Sequence, residues 1–384
     1  MASYAVPRTP AALNISAPAP KPVPSGPALP PYQTATWAGC GGRIKALPED
    51  FQVDEVPLYP PTGTGEHTYV RLWKRGLSTR AALQRLSEAT GVPHQKMGWA
   101  GQKDAQAVTT QWISLHATEP KVHLAEGPDL RILEVTRHVN KLRRGHLRGN
   151  RFAVRVRDVR MPEAWNELVQ LCGQQGFPNL FGPQRFGPDG RNAVAGRRLL
   201  ARLRGARRLR DAERFEIHAY QAALFNRIVA RRLAGLGSLK TMLTGDLALL
   251  HRNGATFLVS PAELASAQVR ADAGEISPSA PLFGCRVPLA LETPGAWEQD
   301  ALLQESLTLE DFRMGSKDAS VAGERRPVRE FPQNLAWSRD EADVGSSALL
   351  LTFALGPGVY ATALLRELMK TPDLDPGDLT GEEA

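Results

Sequence analysis

The sequence predicts an α+β fold, in which helices pack on a mixed or largely antiparallel sheet. Short apolar runs typical of strands occur along the chain, and the run at 349–355 is so nearly continuous that it suits the centre of a sheet. Between such runs, apolar residues recur at helical spacing, as at 82–89 and 219–233, and predict amphipathic helices. With 384 residues, the chain is long enough for two or three domains.

The individual elements follow from spacing and from residues that begin or end helices. The predicted strands are 52–56, 67–74, 112–115, 130–135, 151–157 and 349–355. The predicted helices are 82–89, 162–172, 196–210, 219–233 and 360–370. Ser78 is a suitable N-cap for the first helix, and Gly91 ends it. Pro162 suits the first turn of the second helix. The stretch 274–295 is rich in Gly, Pro and Ser and is expected to be mostly loops.

The composition argues against membrane and disulfide-rich classes. No apolar run reaches the roughly 18 residues that suggest a membrane span, and the N-terminus lacks a signal-peptide pattern. The three cysteines, Cys40, Cys172 and Cys285, are scattered and form no Cys-x-x-Cys pair. Neither a disulfide framework nor a metal site is therefore predicted, and we expect a cytoplasmic protein.

Both termini look like tails, and the body between them is basic. Residues 1–40 are rich in proline and alanine, and a segment so poor in large apolar side chains is expected to be disordered. Residues 372–384 form an acidic tail. The net charge is +7, and the last fourteen residues hold five acids and no base, so residues 1–370 carry +12. A basic body indicates a polyanionic partner, most simply nucleic acid.

Basic residues cluster in two runs. The first holds seven of them, Lys141, Arg143, Arg144, Arg148, Arg151, Arg155 and Arg157. The second holds seven arginines between 196 and 210, including Arg197 and Arg198. A charge run is usually only a solvated surface. In the first run, however, Asn150 and Phe152 lie among the arginines, and such a mixture favours stacking on a base beside contacts with RNA phosphates.

One turn stands out as a place for chemistry. Gly98 and Gly101 allow backbone angles that a Cβ would resist, and Asp104 follows them just before the strand at 112–115. Loops at the ends of rigid strands often hold catalytic side chains. The local pattern also suits a simple Asx-turn, which is the commoner role of such an aspartate.

Several motifs resemble those of the tRNA pseudouridine synthase D (TruD) family, in the family's order. They are Pro48–Phe51, Gly65–His67, Ala100–Asp104 with Ala107–Thr109, Lys141–Gly145, Gly149–Phe152, Pro178–Gly187, Ala223–Asn226, Thr244–Asp246 and Tyr360–Thr362 with Leu365–Leu368. The resemblance extends from about residue 43 to about residue 371. One short motif would be weak, but this many in register are specific.

The resemblance implies a pseudouridine-synthase-like catalytic domain in two parts, 41–177 and 328–371. A smaller inserted α/β domain, here called the insert, occupies 178–327. The cleft between them is expected to be basic and to hold folded RNA. The implied activity is isomerisation of uridine to pseudouridine at position 13 of tRNA, by an isomerase that needs no cofactor and no metal and acts as a monomer.

The resemblance also assigns site residues. Asp104 is the implied catalytic nucleophile, and it would attack either ribose C1′ or uracil C6. Phe51 and Lys45 are placed at the active site, while Asn150 and Phe152 match the family's base-contacting pair. Lys45 is our candidate for the cation that keeps Asp104 ionised, and the neighbouring Lys103 is the alternative. The predicted RNA-binding residues are Lys141, Arg143, Arg144, Arg148, Arg185, Arg197 and Arg198.

Other interpretations stay open from the residues alone. Phe51 also suits a core position at the start of a strand. A non-catalytic RNA-binding protein, such as an RNA chaperone, explains the basic runs but gives Asp104 no role. A glycoside hydrolase also acts at C1′ and needs two carboxylates. Glu49 or Glu55 would supply the second, but the basic runs would then have no use.

Overall fold

The computed structural model describes residues 30–118, 120–187, 190–202, 209–313, 321–340, 347–371 and 374. Its strands are β1 (Phe51–Pro57), β2 (His67–Arg75), β3 (Met97–Trp99), β4 (Val108–Leu115), β5 (Leu130–His138), β6 (Leu147–Val156), β7 (Phe177–Pro178), β8 (Leu247–Leu250), β9 (Thr256–Leu258), β10 (Ile276–Leu282), β11 (Glu324–Pro327), β12 (Arg329–Glu330), β13 (Gln333–Arg339) and β14 (Leu349–Leu355). Its helices are α1 (Thr79–Thr90), α2 (Trp165–Gln175), α3 (Pro183–Phe186), α4 (Arg191–Arg202), α5 (Asp211–Leu236), α6 (Leu264–Asp272), α7 (Glu292–Gln304) and α8 (Ala361–Met369). No helix among the described residues is long and apolar enough to cross a membrane.

Eight strands form one mixed sheet, in the spatial order β13-β14-β6-β1-β4-β2-β5, with β3 also paired to β4. β1 and β4 run parallel, with Val53 opposite Thr109. The other neighbouring pairs in this sheet run antiparallel. The predicted α+β fold with a mixed sheet is therefore confirmed. β3 pairs with the C-terminal end of β4, and the connection between these two strands, residues 100–107, carries Asp104.

Local signals begin and end the helices close to where the sequence predicts. The Ser78 hydroxyl accepts a hydrogen bond from the Ala81 N–H at the start of α1, and Gly91 ends that helix in the left-handed conformation, with φ +71°. α2 begins at Trp165 rather than at Pro162, because the residues between them form a turn. α1 packs on one group of apolar strand residues, whereas α2 and α8 belong to a second, larger core.

The segment predicted as the insert contains a second sheet, in the order β11-β10-β8-β9. β7 and β12, which lie at the two ends of this segment, pair with each other. The long helix α5 buries Leu224, Phe225 and Val229 in the same core as Phe353 of β14 and Leu364 of α8. The first sheet and the insert therefore share one apolar core, which fixes how the two meet at Asp104.

The prediction of mostly loops at 274–295 is wrong for its first part. β10 lies there, is buried over six of its seven residues, and stands between β8 and β11. Pro278 and Pro281 lack the N–H that a central strand usually donates. A strand also needs acceptors, and the Pro278 carbonyl accepts a hydrogen bond from the Val328 N–H at 2.9 Å. Composition alone therefore hides a buried strand here.

The predicted disordered tail at 1–40 ends too late. Residues 1–29 lie outside the described residues, whereas 30–40 pack against α8. The Glu367 carboxylate accepts hydrogen bonds from the Thr34 N–H at 3.0 Å and from the Thr34 hydroxyl at 2.7 Å. This buried anchor gives the last part of the tail a fixed place. Apart from the single residue 374, the predicted acidic tail lies outside the described residues.

Candidate active site

The turn between β3 and β4 presents Asp104 where the first sheet meets the insert. Its side chain is 22% exposed. Oδ1 accepts a hydrogen bond from the Gln106 N–H at 3.0 Å, which is the Asx-turn that the local pattern suggests. The Asp104 main-chain carbonyl accepts a hydrogen bond from Lys74 Nζ at 2.9 Å. Lys74 is fully buried and also donates to the Leu77 carbonyl, so it fixes the main chain of the turn.

Lys45 supplies the cation beside this carboxylate. Its Nζ contacts Asp104 Oδ2 and lies 4.7 Å from the centroid of the Phe51 ring. Lys45 has a left-handed backbone, with φ +57°. Such a conformation is uncommon for a residue with a Cβ and tends to occur where function constrains the chain.

Lys103, although next to Asp104 in sequence, belongs to a different contact. Its Nζ lies 2.5 Å from Glu55 Oε2, and both side chains are almost fully buried. Glu55 Oε1 also accepts a hydrogen bond from the Trp112 N–H at 3.1 Å. The pair therefore lies beneath the turn as part of its support. Of the two lysines that the sequence offers, the structure brings Lys45 to Asp104.

Gln184 is a further partner that comes from the insert. This exposed residue of α3 donates a hydrogen bond from Nε2 to Asp104 Oδ2 at 3.1 Å. Burial acts to raise the pKa of Asp104, but the charge of Lys45 and the hydrogen bonds from Lys45, Gln106 and Gln184 outweigh it. The net pKa lies below the usual value for a carboxyl group, so Asp104 is ionised at neutral pH.

Three aromatic rings lie together on the adjoining strands. Phe152 stacks on Phe353 at 5.1 Å and meets Phe51 edge-on at 6.1 Å. Phe152 is only 9% exposed, so it is a packed residue as well as a candidate base contact. Asn150 lies two residues before it on the same face of β6. The Asn150 Oδ1 atom is buried and finds no hydrogen-bond donor among the residues that the structure describes. Buried polar atoms normally have a partner, so this one is suited to a ligand.

The family model of tRNA pseudouridine synthase D (TruD) matches residues 31–203 and 210–368. The chain belongs to this family. A relative named tRNA pseudouridine synthase D, from Anaeromyxobacter sp. (strain Fw109-5), is 44% identical over 349 residues, which cover 88% of this chain and 96% of the relative. Another relative of that name, from Thermus thermophilus, is 41% identical over 348 residues, which cover 90% and 93%.

A solved structure gives the same result for the TruD fold. The crystal structure of a putative tRNA pseudouridine synthase D from Methanosarcina mazei matches with a TM-score of 0.69 at 25% identity. The match covers 91% of this chain and 97% of the other. The resemblance that the motifs indicate is therefore confirmed, together with the fold that it implies.

The first basic run of this TruD-family chain borders the turn that carries Asp104. Arg143, Arg144 and Arg148 are exposed. The Arg144 guanidinium lies 4.3 Å from the centroid of the Trp99 ring, at the end of β3. Lys141 is half-buried, and its Nζ donates to the Gln95 carbonyl at 2.6 Å. The exposed arginines are thus available to phosphates, while Lys141 is partly engaged within the protein.

The second run lies in the insert and is less uniform. Arg198 is exposed, whereas Arg197 is tied to Glu305 by an ion pair of 2.9 Å. Glu305 also binds Arg227 at 2.9 Å, so it already neutralises part of this charge. Arg185 lies next to Gln184 and donates to the Tyr360 hydroxyl at 3.1 Å. The arginines at 204, 207 and 208 lie outside the described residues.

Sequence reasoning missed the roles of Lys74 and Gln184. Gln184 lies inside the Pro178–Gly187 motif, so the motif was the signal, but nothing in it says which side chain reaches Asp104. Lys74 falls at an inward position of β2, where a lysine is unusual. The sequence therefore shows an unusual lysine at this position, but it does not show that the lysine contacts the Asp104 carbonyl.

Proposed function

We propose that this chain isomerises uridine to pseudouridine in tRNA and that ionised Asp104 is the nucleophile. Membership of the TruD family carries the reaction class, an isomerase acting on tRNA. The observation that supports the role of Asp104 is its carboxylate, held by Lys45 and Gln184 where the sheet meets the insert. A purely RNA-binding protein has no need of a partly buried, ionised aspartate at this place.

The reaction needs no external group. The glycosidic bond between uracil N1 and ribose C1′ breaks, the base turns, and a new bond joins C5 to C1′. The C5 proton is lost and N1 gains a proton, so product and substrate have the same composition. Asp104 assists by attacking either C1′ or C6, and both routes need it ionised, as its lowered pKa provides.

The target uridine must leave its stack to reach Asp104, at a cost of a few kcal/mol. Neighbouring side chains offset this cost in our proposal. The Phe152 ring, supported by Phe353, stacks on or beside the flipped base. The amide of Asn150, with its unpartnered Oδ1, accepts a hydrogen bond from the uracil edge. Phe51 and Lys45 close the site around the carboxylate.

Three finer features extend the proposal. The uridine is the one at position 13 of tRNA, the enzyme acts as a monomer, and it works in the cytoplasm. The exposed residues Arg143, Arg144, Arg148 and Arg198 contact the phosphates of the tRNA. Light scattering with and without tRNA tests the monomer, because a second protomer in the complex would double the protein mass.

The deciding experiment incubates the protein with unmodified tRNA and locates pseudouridine by carbodiimide labelling and primer extension. We expect one stop, at position 13, with the wild-type chain. Asp104→Asn should abolish it while tRNA binding survives, because the amide cannot act as the nucleophile. Asp300→Asn, which changes an exposed acid paired with Arg231 in the insert, is the matched control and should remain active. Turnover by Asp104→Asn near the wild-type rate would refute the assigned role.

A further inference from the structure

Two guanidinium groups beside the active site lack a carboxylate partner. Arg185 and Arg326 both approach the Phe181 ring, at 5.5 and 4.3 Å from its centroid. In the described part of the chain, no acidic side chain lies within ion-pair distance of either. Glu330 and Glu324 act on Arg326 only at longer range.

Their hydrogen bonds go to neutral acceptors. Arg326 donates to the carbonyl of Asn179 at 3.3 Å, to the Asn179 side-chain oxygen and to the Gly358 carbonyl at 3.0 Å. Arg185 donates to the Tyr360 hydroxyl, and its Nε is buried without an acceptor among the described residues. Neutral oxygens satisfy donors but do not cancel the two positive charges.

The positive charge of Arg185 acts on the pKa values of neighbouring groups. Burial lowers the pKa of Arg326 to about 10, and the charge of Arg185 acts in the same direction. Burial also lowers the pKa of His218 to about 4, with Arg185 and Arg214 lowering it further. Among the described residues, the charges of Arg185 and Arg326 therefore have no carboxylate in direct contact, and Glu330 and Glu324 act on Arg326 only from longer range.

Other buried arginines show that this is not the general arrangement. Arg232 pairs with Asp246 at 2.7 Å, and Arg325 pairs with Glu298 at 2.8 Å. Arg329 has no ion pair of this kind in the described part of the chain, but it is fully enclosed and all three of its nitrogens donate to protein oxygens. By contrast, Arg185 and Arg326 are both partly exposed, and the Nε of Arg185 has no acceptor among the described residues.

Each of the two arginines is also linked to a segment of the proposed active site, Arg185 by its place in the chain and Arg326 by a hydrogen bond. Gln184, which holds Asp104, immediately precedes Arg185. Gly358, which Arg326 contacts, follows the end of β14, where Leu355 pairs with Asn150. A Cβ at Gly149 would lie 2.2 Å from the Leu355 carbonyl, so the backbones approach closely at this point. Arg185 thus follows the residue that contacts the proposed nucleophile, and Arg326 contacts the turn after the strand that pairs with the proposed base contact.

We propose that Arg185 and Arg326 bind a backbone phosphate of the tRNA adjacent to the flipped uridine, which rests on the function proposed above. A phosphodiester brings one negative charge and two free oxygens, which suit two planar guanidiniums. The Tyr360 hydroxyl adds a donor to the same site. Holding this phosphate keeps the flipped nucleotide from returning to its stack.

The test is a thermodynamic cycle, like a double-mutant cycle, that combines a substitution in the protein with a change in the tRNA and measures binding. tRNAs that carry one methylphosphonate linkage, either 5′ or 3′ of the target uridine, lose the charge of one phosphate. We expect one of them to bind the wild-type chain about tenfold more weakly, the loss typical of one charge-assisted contact. Arg185→Gln should weaken binding of normal tRNA by a similar factor. Combining the variant with that tRNA should cost no more than either change alone.

The controls separate this site from general charge effects. Arg252→Gln removes an exposed arginine elsewhere in the insert, and its effect should add to that of the methylphosphonate. Arg185→Lys keeps the charge, should retain part of the coupling, and replaces Arg185→Gln if the latter unfolds. Additive losses for Arg185→Gln with both modified tRNAs would overturn the proposal. Competition by inorganic phosphate without such coupling would also overturn it, because the site would then bind only a free anion.

The cycle also distinguishes this inference from the function on which it rests. If the wild-type chain binds tRNA but forms no pseudouridine, the proposed function fails, and the binding cycle still decides the phosphate site. If pseudouridine forms but the losses are additive, only the phosphate site fails.

Discussion

Replacing Lys103 by methionine tests the separate roles of the two lysines near Asp104. The Lys103 and Glu55 side chains are 4% and 1% exposed, with 2.5 Å between Nζ and Oε2. Methionine removes the cation and leaves a buried carboxylate with its hydrogen bond from the Trp112 N–H. Removing one partner of a buried ion pair costs about 3–5 kcal/mol. We therefore expect the free energy of unfolding to fall by about 4 kcal/mol.

Urea denaturation measures this loss, and Lys96→Met is the matched control. Lys96 is exposed, so its replacement should change the free energy of unfolding by less than about 0.5 kcal/mol. The double variant Lys103→Met with Glu55→Gln should recover most of the loss, because a neutral amide still accepts from the Trp112 N–H. Turnover per folded molecule should remain near wild type, since Lys45 carries the charge at Asp104.

Two results would refute this reasoning. A loss of stability below about 1 kcal/mol would mean that Lys103 and Glu55 do not form a buried pair in solution. A large loss of turnover in a variant that is fully folded would mean that Lys103, rather than Lys45 alone, acts on Asp104.

Four further outcomes are expected. Lys45→Met removes the cation that lowers the pKa of Asp104, so burial should raise that pKa. The acid limb of the kcat/KM profile should therefore move to higher pH. An unmoved profile would contradict the ion pair. Phe152→Leu should lower stability by about 1 kcal/mol and turnover about tenfold, because the ring serves both core and base; lost stability with full turnover per folded molecule would make it core only. Binding of tRNA should weaken steeply with salt, and Arg143→Gln should reduce the log–log slope by about 1; a flat dependence argues against phosphate contacts. Deleting residues 1–29 should leave melting temperature and activity almost unchanged, and unfolding of the shortened chain would disprove this.

The sequence by itself determined the local elements and the family. The strand at 349–355 and the helix between Ser78 and Gly91 were predictable because a strand's period and a helix's caps depend on residues close together in the chain. The Asp104 turn was readable for the same reason. The failure at 274–295 has the complementary cause, because burial in the middle of a sheet outweighs the local preference of proline and glycine for loops.

Only the tertiary structure decided which side chains meet. Lys103 is adjacent to Asp104 yet pairs with Glu55, whereas Lys45 reaches it from 59 positions away. Gln184 reaches the same oxygen from the insert, 80 positions away. Such contacts depend on the order and register of the strands and on the core shared by sheet and insert, which no local pattern contains. The lack of a carboxylate beside Arg185 among the described residues belongs to the same class of fact, because it depends on every element that meets at that junction.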